Sequence, residues 1–410
     1  MIMKALEVNG RTYQWMKEPL VVVCVDGCEY DYLTEVVKTG KTPFLEKILK
    51  DGNAYKGDCV VPSFTNPNNL SIVTGRPPSV HGICGNFFFD PDLKEEVMMN
   101  EVKYLRAETV LAKFSHEGAK VAVITAKDKL RKLLGHQIVG GICFSSEKAD
   151  QCTVDENGIT GVLEMIGMPL PSVYSADLSE FVFAAGVKIM ESVRPDLMYL
   201  STTDYIQHKY APGTDGANDF YIMMDSYLSK LDKLGVTIAI TADHGMNAKT
   251  NSEGKPNVIY LQDLADQVVG KDNARVILPI TDPYVVHHGA LGSYATIYIS
   301  NDLKNELVEK LKATPGISKV LNNSEACSLF ELPNDRVGDL VIVSDKSVVL
   351  GTSESRHDLS GLDAPLRSHG GISEQTVPLL FNRRLIQKPN SHLRNFDILD
   401  ISLNSLEPRA

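Results

Sequence analysis

The sequence lacks any apolar run long enough to cross a membrane. Its longest apolar stretch near the start is Leu20–Val25, whereas a membrane-spanning helix needs about 20 such residues. The first residues, Met1–Met16, include Lys4, Glu7 and Arg11 and lack the apolar segment of a signal peptide. We therefore expect neither membrane insertion nor secretion.

Positive charge is also scarce. The chain has 41 Lys and Arg against 52 Asp and Glu, a net charge of −11. Proteins that bind nucleic acid need clustered Lys and Arg to meet the phosphate backbone, so nucleic acid is not expected as a main partner. A small anionic substrate is not excluded, because bound metal ions can reverse the local field.

Cysteine occurs seven times, an odd number without the spacing of a disulfide framework. Cys24 falls within a predicted buried strand, and Cys28 follows it closely. We interpret both as buried thiols rather than metal ligands. Reduced thiols are typical of a cytoplasmic protein, which is the location we expect.

Strand and helix signals alternate along most of the chain. Short apolar runs rich in β-branched residues predict buried strands, and amphipathic stretches predict helices. The predicted elements are strand Leu20–Val25, helix Thr42–Asp51, a helix from Pro67 to Thr74, helix Glu108–Glu117, strand Lys120–Thr125, helix Ala176–Ser192, strand Leu197–Ser201, helix Tyr221–Leu234 and strand Val236–Ala242. A further core-like apolar run is Val377–Phe381. This order predicts an α/β fold with a doubly wound, mainly parallel sheet and helices on both faces.

The pattern changes after residue 255. Two short β-like runs, Ala295–Ile299 and Leu340–Ser344, lie on either side of the predicted helix Asp302–Lys312. A chain of 410 residues exceeds one ordinary domain. We expect residues 1–255 and 366–410 to form the core, with residues 256–365 inserted as a smaller α+β cap.

Acidic residues follow two of the predicted strands. Asp243, His244 and Gly245 come directly after Val236–Ala242, and Asp26 ends the first strand. Ligands of open α/β sheets bind at the carboxyl ends of strands, and carboxylate and imidazole groups both bind divalent metals. An Asp that caps a helix or closes a turn is the competing explanation for each segment.

Two further segments carry candidate metal ligands. Asp204 and His208 follow strand Leu197–Ser201 at a spacing that places both side chains on one face of a helix. His369 precedes two glycines where the chain returns from the proposed cap. A surface Asp–His pair and a structural histidine remain the alternatives.

Thr65 stands just before Pro67, where a helix is expected to begin. Helix N-termini favour anions, and a threonine hydroxyl becomes a nucleophile when a metal or base lowers its pKa. An ordinary helix-capping threonine is the alternative.

Taken together, these motifs resemble the alkaline phosphatase superfamily, in its branch of nucleotide pyrophosphatases/phosphodiesterases. The motifs that carry the resemblance occur in the expected order and are Val23-Cys-Val-Asp-Gly27, Thr65-Asn-Pro-Asn68, Ile72-Val-Thr-Gly75, His81-Gly-Ile-Cys-Gly-Asn86, Asp204-x-x-x-His208, Asp243-His244-Gly245 and Ser368-His369-Gly370. The diesterases usually have Thr-Phe-Pro-Asn where this chain has Thr-Asn-Pro-Asn. That departure and the compact size favour the members that hydrolyse phosphonoacetate.

The resemblance implies an alkaline-phosphatase-like fold and two Zn²⁺ ions per chain. One ion would be held by Asp26, Asp243, His244 and the Thr65 oxygen, and the other by Asp204, His208 and His369. Two such ions stabilise both sides of an in-line displacement at phosphorus. Thr65 would be the nucleophile and form a phosphothreonine. The implied reaction cleaves the C–P bond of phosphonoacetate to acetate and phosphate.

Three residues are candidates for binding the substrate. Lys127 and Lys129 follow strand Lys120–Thr125 and so face the same rim, although solvated loop lysines would fit the sequence as well. Asn86 matches a family asparagine that donates to a phosphoryl oxygen, and a turn asparagine is the alternative. His287 and His288 lie in the proposed cap and are left outside the site. A homodimer is the commonest soluble assembly and is our expectation.

Three other functions remain open at this point. A phosphodiesterase or phosphomonoesterase would use the same metal site with different contacts beyond the metals. A cofactor-independent phosphoglycerate mutase shares the two-metal core, but usually has a serine nucleophile and a longer chain. A metal-stabilised protein that only binds small phosphonates is the non-enzymatic alternative.

Overall fold

A computed structural model describes residues 4–281, 289–387 and 392–408. Its strands are β1 Ala5–Val8, β2 Arg11–Gln14, β3 Leu20–Cys24, β4 Ala54–Asp58, β5 Phe87–Asp90, β6 Glu95–Met98, β7 Val121–Thr125, β8 Ile142–Ser145, β9 Leu197–Ser201, β10 Thr237–Thr241, β11 Asn247–Ala248, β12 Val258–Tyr260, β13 Ala274–Ile277, β14 Tyr294–Ile299, β15 Ile317–Asn322, β16 Leu340–Ser344, β17 Val349–Gly351, β18 Arg367–Ser368 and β19 Thr376–Phe381.

The α-helices are α1 Tyr30–Val37, α2 Pro43–Lys50, α3 Thr65–Thr74, α4 Pro78–His81, α5 Val110–His116, α6 Asp128–Leu134, α7 Val154–Asn157, α8 Val162–Ile166, α9 Asp177–Ser192, α10 Tyr205–Lys209, α11 Asp215–Lys233, α12 Leu261–Val269, α13 Asn301–Lys312, α14 Asn323–Phe330 and α15 Ile398–Asn404. Within the described ranges, no helix combines the length and the apolar character needed to cross a bilayer.

The central sheet has the strand order β4-β19-β10-β3-β9-β7-β8. The five strands from β10 to β8 run parallel to one another, and β19 lies antiparallel between β10 and β4. The parallel strands β3, β7, β9 and β10 are buried over their whole length, as expected for a sheet covered on both faces. The predicted α/β fold with a mainly parallel sheet is confirmed.

Helices cover both faces of this sheet. Alternate residues of β3 point to opposite sides, so that Val21 and Val23 pack with residues of α9 and α11, whereas Leu20 and Val22 pack with residues of α3 and α5. This alternation is the two-residue period of a strand. It explains why the apolar run in β3 is continuous rather than interrupted by polar residues.

A second sheet lies in the segment predicted as the cap. Its order is β13-β14-β16-β15, and all its pairs are antiparallel. The apolar cluster on one face of the central sheet continues into this second sheet through residues such as Tyr294 and Val341. The limits of the cap, residues 256–365, stay a prediction.

Most predicted elements agree with the structure to within two residues, but two features differ. Helix α11 begins at Asp215, six residues before the predicted start, because Ala217 and Phe220 are buried although the segment is polar and contains Gly216. The hairpin β1–β2 was not predicted, despite its Asn9-Gly10 turn with positive φ at both residues. All seven cysteines are buried and unpaired, in agreement with the expected reduced thiols.

Candidate active site

One edge of the central sheet gathers charged residues from five parallel strands. Asp243 follows β10, Asp26 follows β3, Asp204 follows β9, Lys127 follows β7 and Glu147 follows β8. Because these strands are adjacent and parallel, their carboxyl ends meet at the same edge. The three aspartates follow the neighbouring strands β10, β3 and β9, whereas Lys127 and Glu147 follow β7 and β8 on the other side.

The first group of possible metal ligands contains Asp26, Asp204 and His244, whose ligand atoms all lie within 4.8 Å of one another. Asp26 Oδ1 is 3.1 Å from His244 Nε2. Asp243 borders this group, with its Oδ2 3.9 Å from the same nitrogen. The backbone N–H groups of Gly27 and His244 donate to Asp243 Oδ1 at 3.3 Å and 3.1 Å and hold its carboxylate in place.

The second group contains Asp204, His208 and His369. Asp204 Oδ2 lies 2.8 Å from His208 Nε2 and 3.6 Å from His369 Nε2. Asp204 is the residue before α10 and His208 lies within that helix, as the sequence spacing predicted. The His244 and His369 rings are stacked with centroids 3.5 Å apart, so the two groups are contiguous and share Asp204.

The three histidines of these groups present the same nitrogen to the cluster. Each places Nδ1 at 2.7–2.9 Å from a backbone carbonyl oxygen: His208 from Arg367, His244 from Gly245 and His369 from Ser63. A carbonyl oxygen only accepts, so Nδ1 carries the proton. In the neutral form, which is the form that binds a metal, each ring directs its Nε2 lone pair inward, the arrangement of metal-binding histidines.

The electrostatics of the cluster favour a cation. Burial raises the pKa of Asp26 well above its usual value, and Asp204 and Asp243 add to this. Burial also raises the pKa of Asp243. For His244 burial acts to lower the pKa, but Asp243 and Asp26 outweigh it and raise the pKa to about 10. Buried like charges are costly unless a counter-charge is present.

Two buried atoms in the cluster point to the same conclusion. Asp26 Oδ1 and His244 Nε2 form an ion pair at 3.1 Å, but neither atom has a hydrogen bond of good geometry with the residues that the structure describes. Unsatisfied buried polar atoms are rare in native proteins and often mark an ion. The mixed oxygen and nitrogen donors fit divalent metal ions of the zinc type.

Thr65 is the first residue of α3, and Phe64 is the residue that precedes the helix. The alternative that Thr65 is the capping residue is therefore wrong. Thr65 lines a cavity of about 480 Å³ whose wall also includes Asp26, Asp204 and His369. The nucleophile candidate and the metal-ligand candidates thus face one space.

The substrate-binding candidates Asn86, Lys127 and Lys129 line this same cavity. Asn86 Oδ1 accepts a hydrogen bond of 3.1 Å from the backbone N–H of Asn66. This contact leaves the Asn86 amide nitrogen as the donor that can serve a ligand. His287 and His288 lie outside the described residues.

Buried polar residues behind the ligands were not predicted. Asn69 donates to Asp243 Oδ2 at 3.2 Å. The Arg367 guanidinium donates to the backbone oxygen of Gln207 at 2.8 Å, next to His208. An asparagine-rich segment after Thr65 was one weak signal for these residues. A buried arginine had no signal in the sequence, since Arg is mostly exposed.

A buried ion pair, Lys249–Glu374, joins both histidine loops. The Glu374 backbone oxygen accepts from the Gly245 N–H at 2.7 Å, and its carboxylate accepts from the Gly371 N–H at 3.0 Å. Lys249 Nζ lies 2.8 Å from Glu374 Oε1. The pair therefore supports the loops that carry His244 and His369.

Comparison with known proteins agrees with this geometry. The family model described as type I phosphodiesterase/nucleotide pyrophosphatase matches residues 20–371. Phosphonoacetate hydrolase from Sinorhizobium meliloti 1021, solved in complex with phosphonoacetate, is 55% identical, with a TM-score of 0.95 over 99% of this chain and 100% of that one. Murine ectonucleotide pyrophosphatase/phosphodiesterase 5 is 19% identical with a TM-score of 0.66 over 96% of each chain, and shows the fold alone.

Among curated relatives, an ectonucleotide pyrophosphatase/phosphodiesterase of Caenorhabditis elegans is 27% identical over 60% of this chain and 31% of its own length. The chain spans less than a third of the length of the curated relatives that it matches. The resemblance inferred from the order of the motifs is confirmed. The chain belongs to the type I phosphodiesterase/nucleotide pyrophosphatase family of the alkaline phosphatase superfamily.

Proposed function

We propose that this protein hydrolyses the C–P bond of phosphonoacetate and releases acetate and phosphate. The observation that carries the proposal is the full-length likeness, at 55% identity, to a phosphonoacetate hydrolase solved with that compound. The cavity adds support, because Thr65 and the acidic cluster lie in its wall with Lys127 and Lys129.

One metal ion would be held by Asp26, Asp243, His244 and the Thr65 oxygen. The other would be held by Asp204, His208 and His369. We propose zinc for both. Two divalent ions, when bound, supply positive charge for the phosphoryl oxygens and lower the pKa of coordinated hydroxyl groups and water. The inward-facing Nε2 atoms and the buried carboxylates favour such occupancy.

In the proposed reaction the Thr65 oxygen attacks phosphorus and the C–P bond breaks, while the hydroxyl proton passes to solvent, which supplies the proton that the carbon later takes up. The electron pair of that bond passes to the carbon and is delocalised into the adjacent carboxylate as an enediolate. Lys127 and Lys129 would stabilise this dianion, which takes up a proton to give acetate. Water then hydrolyses the phosphothreonine, which restores the Thr65 hydroxyl and releases phosphate.

Asn86 would donate its amide N–H to a phosphoryl oxygen, since its own oxygen is already bonded to a backbone N–H.

We also propose a cytoplasmic location, in keeping with seven buried and unpaired cysteines. A homodimer and a cap of residues 256–365 complete the proposal. Gel filtration with light scattering tests the assembly.

The decisive experiment measures phosphate release by zinc-loaded protein from phosphonoacetate, p-nitrophenyl phosphate and bis-p-nitrophenyl phosphate. Strong preference for phosphonoacetate supports the proposal. Preference for an ester would keep the metal site and assign the chain to a phosphoesterase, the second candidate, which the family match favours. No release from any of the three, with zinc bound, would support a phosphonate-binding protein.

Two Thr65 variants test the nucleophile. Thr65→Ala should bind zinc but lose turnover, because no hydroxyl remains to attack phosphorus. Thr65→Ser is the matched control, since it keeps a hydroxyl, and should retain measurable turnover. Turnover of Thr65→Ala close to that of the unmodified protein would overturn the assignment.

A further inference from the structure

Asn69 occupies a position between the candidate nucleophile and the candidate metal ligands. It lies in α3 four residues after Thr65 and is fully buried. Its Nδ2 donates to the backbone oxygen of Thr65 at 3.0 Å and to Asp243 Oδ2 at 3.2 Å. Its Oδ1 accepts from the hydroxyls of Tyr199 at 2.8 Å and Ser201 at 3.3 Å.

These four contacts use the full hydrogen-bonding capacity of the amide. The Thr65 carbonyl and the ionised Asp243 carboxylate only accept, so the amide nitrogen must face them. The two hydroxyls donate to the amide oxygen from β9, the strand that leads to Asp204. Asn69 is thereby locked in one orientation, bonded to α3, to Asp243 and to β9.

We propose that Asn69 is a positioning residue that couples the Thr65 helix to Asp243 and so sets the distance between the nucleophile and the adjoining metal ion. This inference rests on the metal site and Thr65 role proposed above. Asn69 donates to one oxygen of Asp243, while the other oxygen is held by backbone N–H groups. The carboxylate cannot rotate without breaking one of these bonds.

The expected consequence is a change in the chemical step rather than in substrate binding. A displacement of about 1 Å between reacting groups costs about 100-fold in rate. Lys127 and Lys129 follow β7, which lies on the far side of β9 from Asp243, and none of the four hydrogen bonds of the Asn69 amide involves them. Loss of the amide should therefore lower kcat and leave KM nearly unchanged.

The test compares Asn69→Leu with Asn68→Leu. Asn68 is equally buried on the same helix. Its amide bonds to backbone groups of Val60, Pro62 and Phe64 and accepts from Asn395 Nδ2 at 3.1 Å. Leucine has nearly the same shape as asparagine, so each variant removes hydrogen bonds without a large cavity. Both variants should lose stability, but only Asn69→Leu removes a bond to a ligand candidate.

We expect Asn69→Leu to bind the zinc held by Asp26, Asp243 and His244 about 10- to 100-fold less tightly, the usual effect of removing a partner of a metal ligand. A chelator-competition titration measures this without any substrate. On whichever compound of the phosphate-release panel is turned over, kcat should fall at least 10-fold with KM changed less than 3-fold, estimates that follow from the displacement argument. Asn68→Leu should change neither quantity more than about 3-fold.

Equal effects of the two variants on zinc affinity and kcat would overturn the proposal, because both would then act through the stability of α3. Unchanged zinc affinity in a folded Asn69→Leu protein would also overturn it. Tyr199→Phe provides an independent arm, since it removes one bond to Asn69 Oδ1 and should give a smaller loss of kcat in the same direction. The zinc titration remains decisive even if phosphonoacetate is not the substrate.

Discussion

Replacing Lys249 by methionine should destabilise the protein strongly, because the change leaves a buried carboxylate without its cation. Neither Lys249 nor Glu374 has an exposed side chain. The Lys249 ammonium donates to Glu374 Oε1 at 2.8 Å, to Ser293 Oγ at 2.7 Å and to the Lys346 backbone oxygen at 2.7 Å. Methionine has a similar length but offers none of these donors.

The magnitude follows from what each acceptor retains. Breaking a buried ion pair by removing one partner costs about 3–5 kcal/mol. Glu374 keeps donors from Asn247, Ser373 and Gly371, which reduces the loss, whereas the Lys346 carbonyl is left without this bond, at a cost of about 1–3 kcal/mol. We expect a decrease of about 3–4 kcal/mol in the free energy of unfolding.

The assay is equilibrium unfolding in urea with a chelator present, so that metal binding does not contribute to the difference. The double variant Lys249→Met/Glu374→Gln should recover part of the lost unfolding free energy. The interaction energy between the two sites in this double-mutant cycle should be about 0.5–3 kcal/mol. If Lys249→Met lowers the free energy of unfolding by less than about 1 kcal/mol at an unchanged m value, the argument is refuted, because the Glu374 carboxylate would then not depend on the Lys249 ammonium for its charge compensation.

The same pair predicts a pH dependence. Burial acts to raise the pKa of Glu374, but Lys249 and the hydrogen-bond donors outweigh it and lower the pKa below its usual value. A lowered carboxyl pKa contributes stability above the unfolded value of about 4.3, and this contribution is lost as the pH falls through the folded pKa. The stability difference between the unmodified protein and Lys249→Met should be constant near neutral pH and narrow below about pH 4.

Three further outcomes are expected. Gly370→Ala should lower the unfolding temperature and the number of zinc ions bound per chain. Gly370 is next to His369 and has a φ of +119°, and a Cβ there would lie 2.4 Å from the Phe64 ring. Gly361→Ala, whose Cβ meets no atom within 4 Å, should leave both quantities unchanged. Asp363→Asn breaks an ion pair in which the acid is 68% exposed, so denaturant unfolding should show a loss below about 1 kcal/mol; a larger loss would mean that the pair is shielded from water. Zinc at 100 times its Kd should stabilise the metal-free protein by about 2.7 kcal/mol. An unfolding temperature that does not change on addition of zinc would contradict the metal site.

Local sequence patterns predicted the strands of the central sheet and the residues at their ends. Leu197–Ser201 and Leu340–Ser344 were predicted with the bounds that the structure has, because continuous apolar runs identify buried strands. The polar start of α11 was not predicted, since Ala217 and Phe220 become buried only when the helix packs on its neighbours. The assignment of ligands and nucleophile stays a prediction until zinc binding and turnover are measured.

The sequence by itself determined that Asp26, Asp204 and Asp243 follow strands, because each lies within three residues of the end of an apolar run. It also determined the spacing of Asp204 and His208 on one helix. Only the tertiary structure decided what supports these residues. The supporting residues are polar or charged, and their burial depends on partners that are distant in sequence: they are Asn69, Lys249, Glu374 and Arg367. Asn69 and its partner Asp243, for example, are 174 positions apart. Such contacts arise when the strand order of the sheet brings separate segments together, and no local periodicity records them.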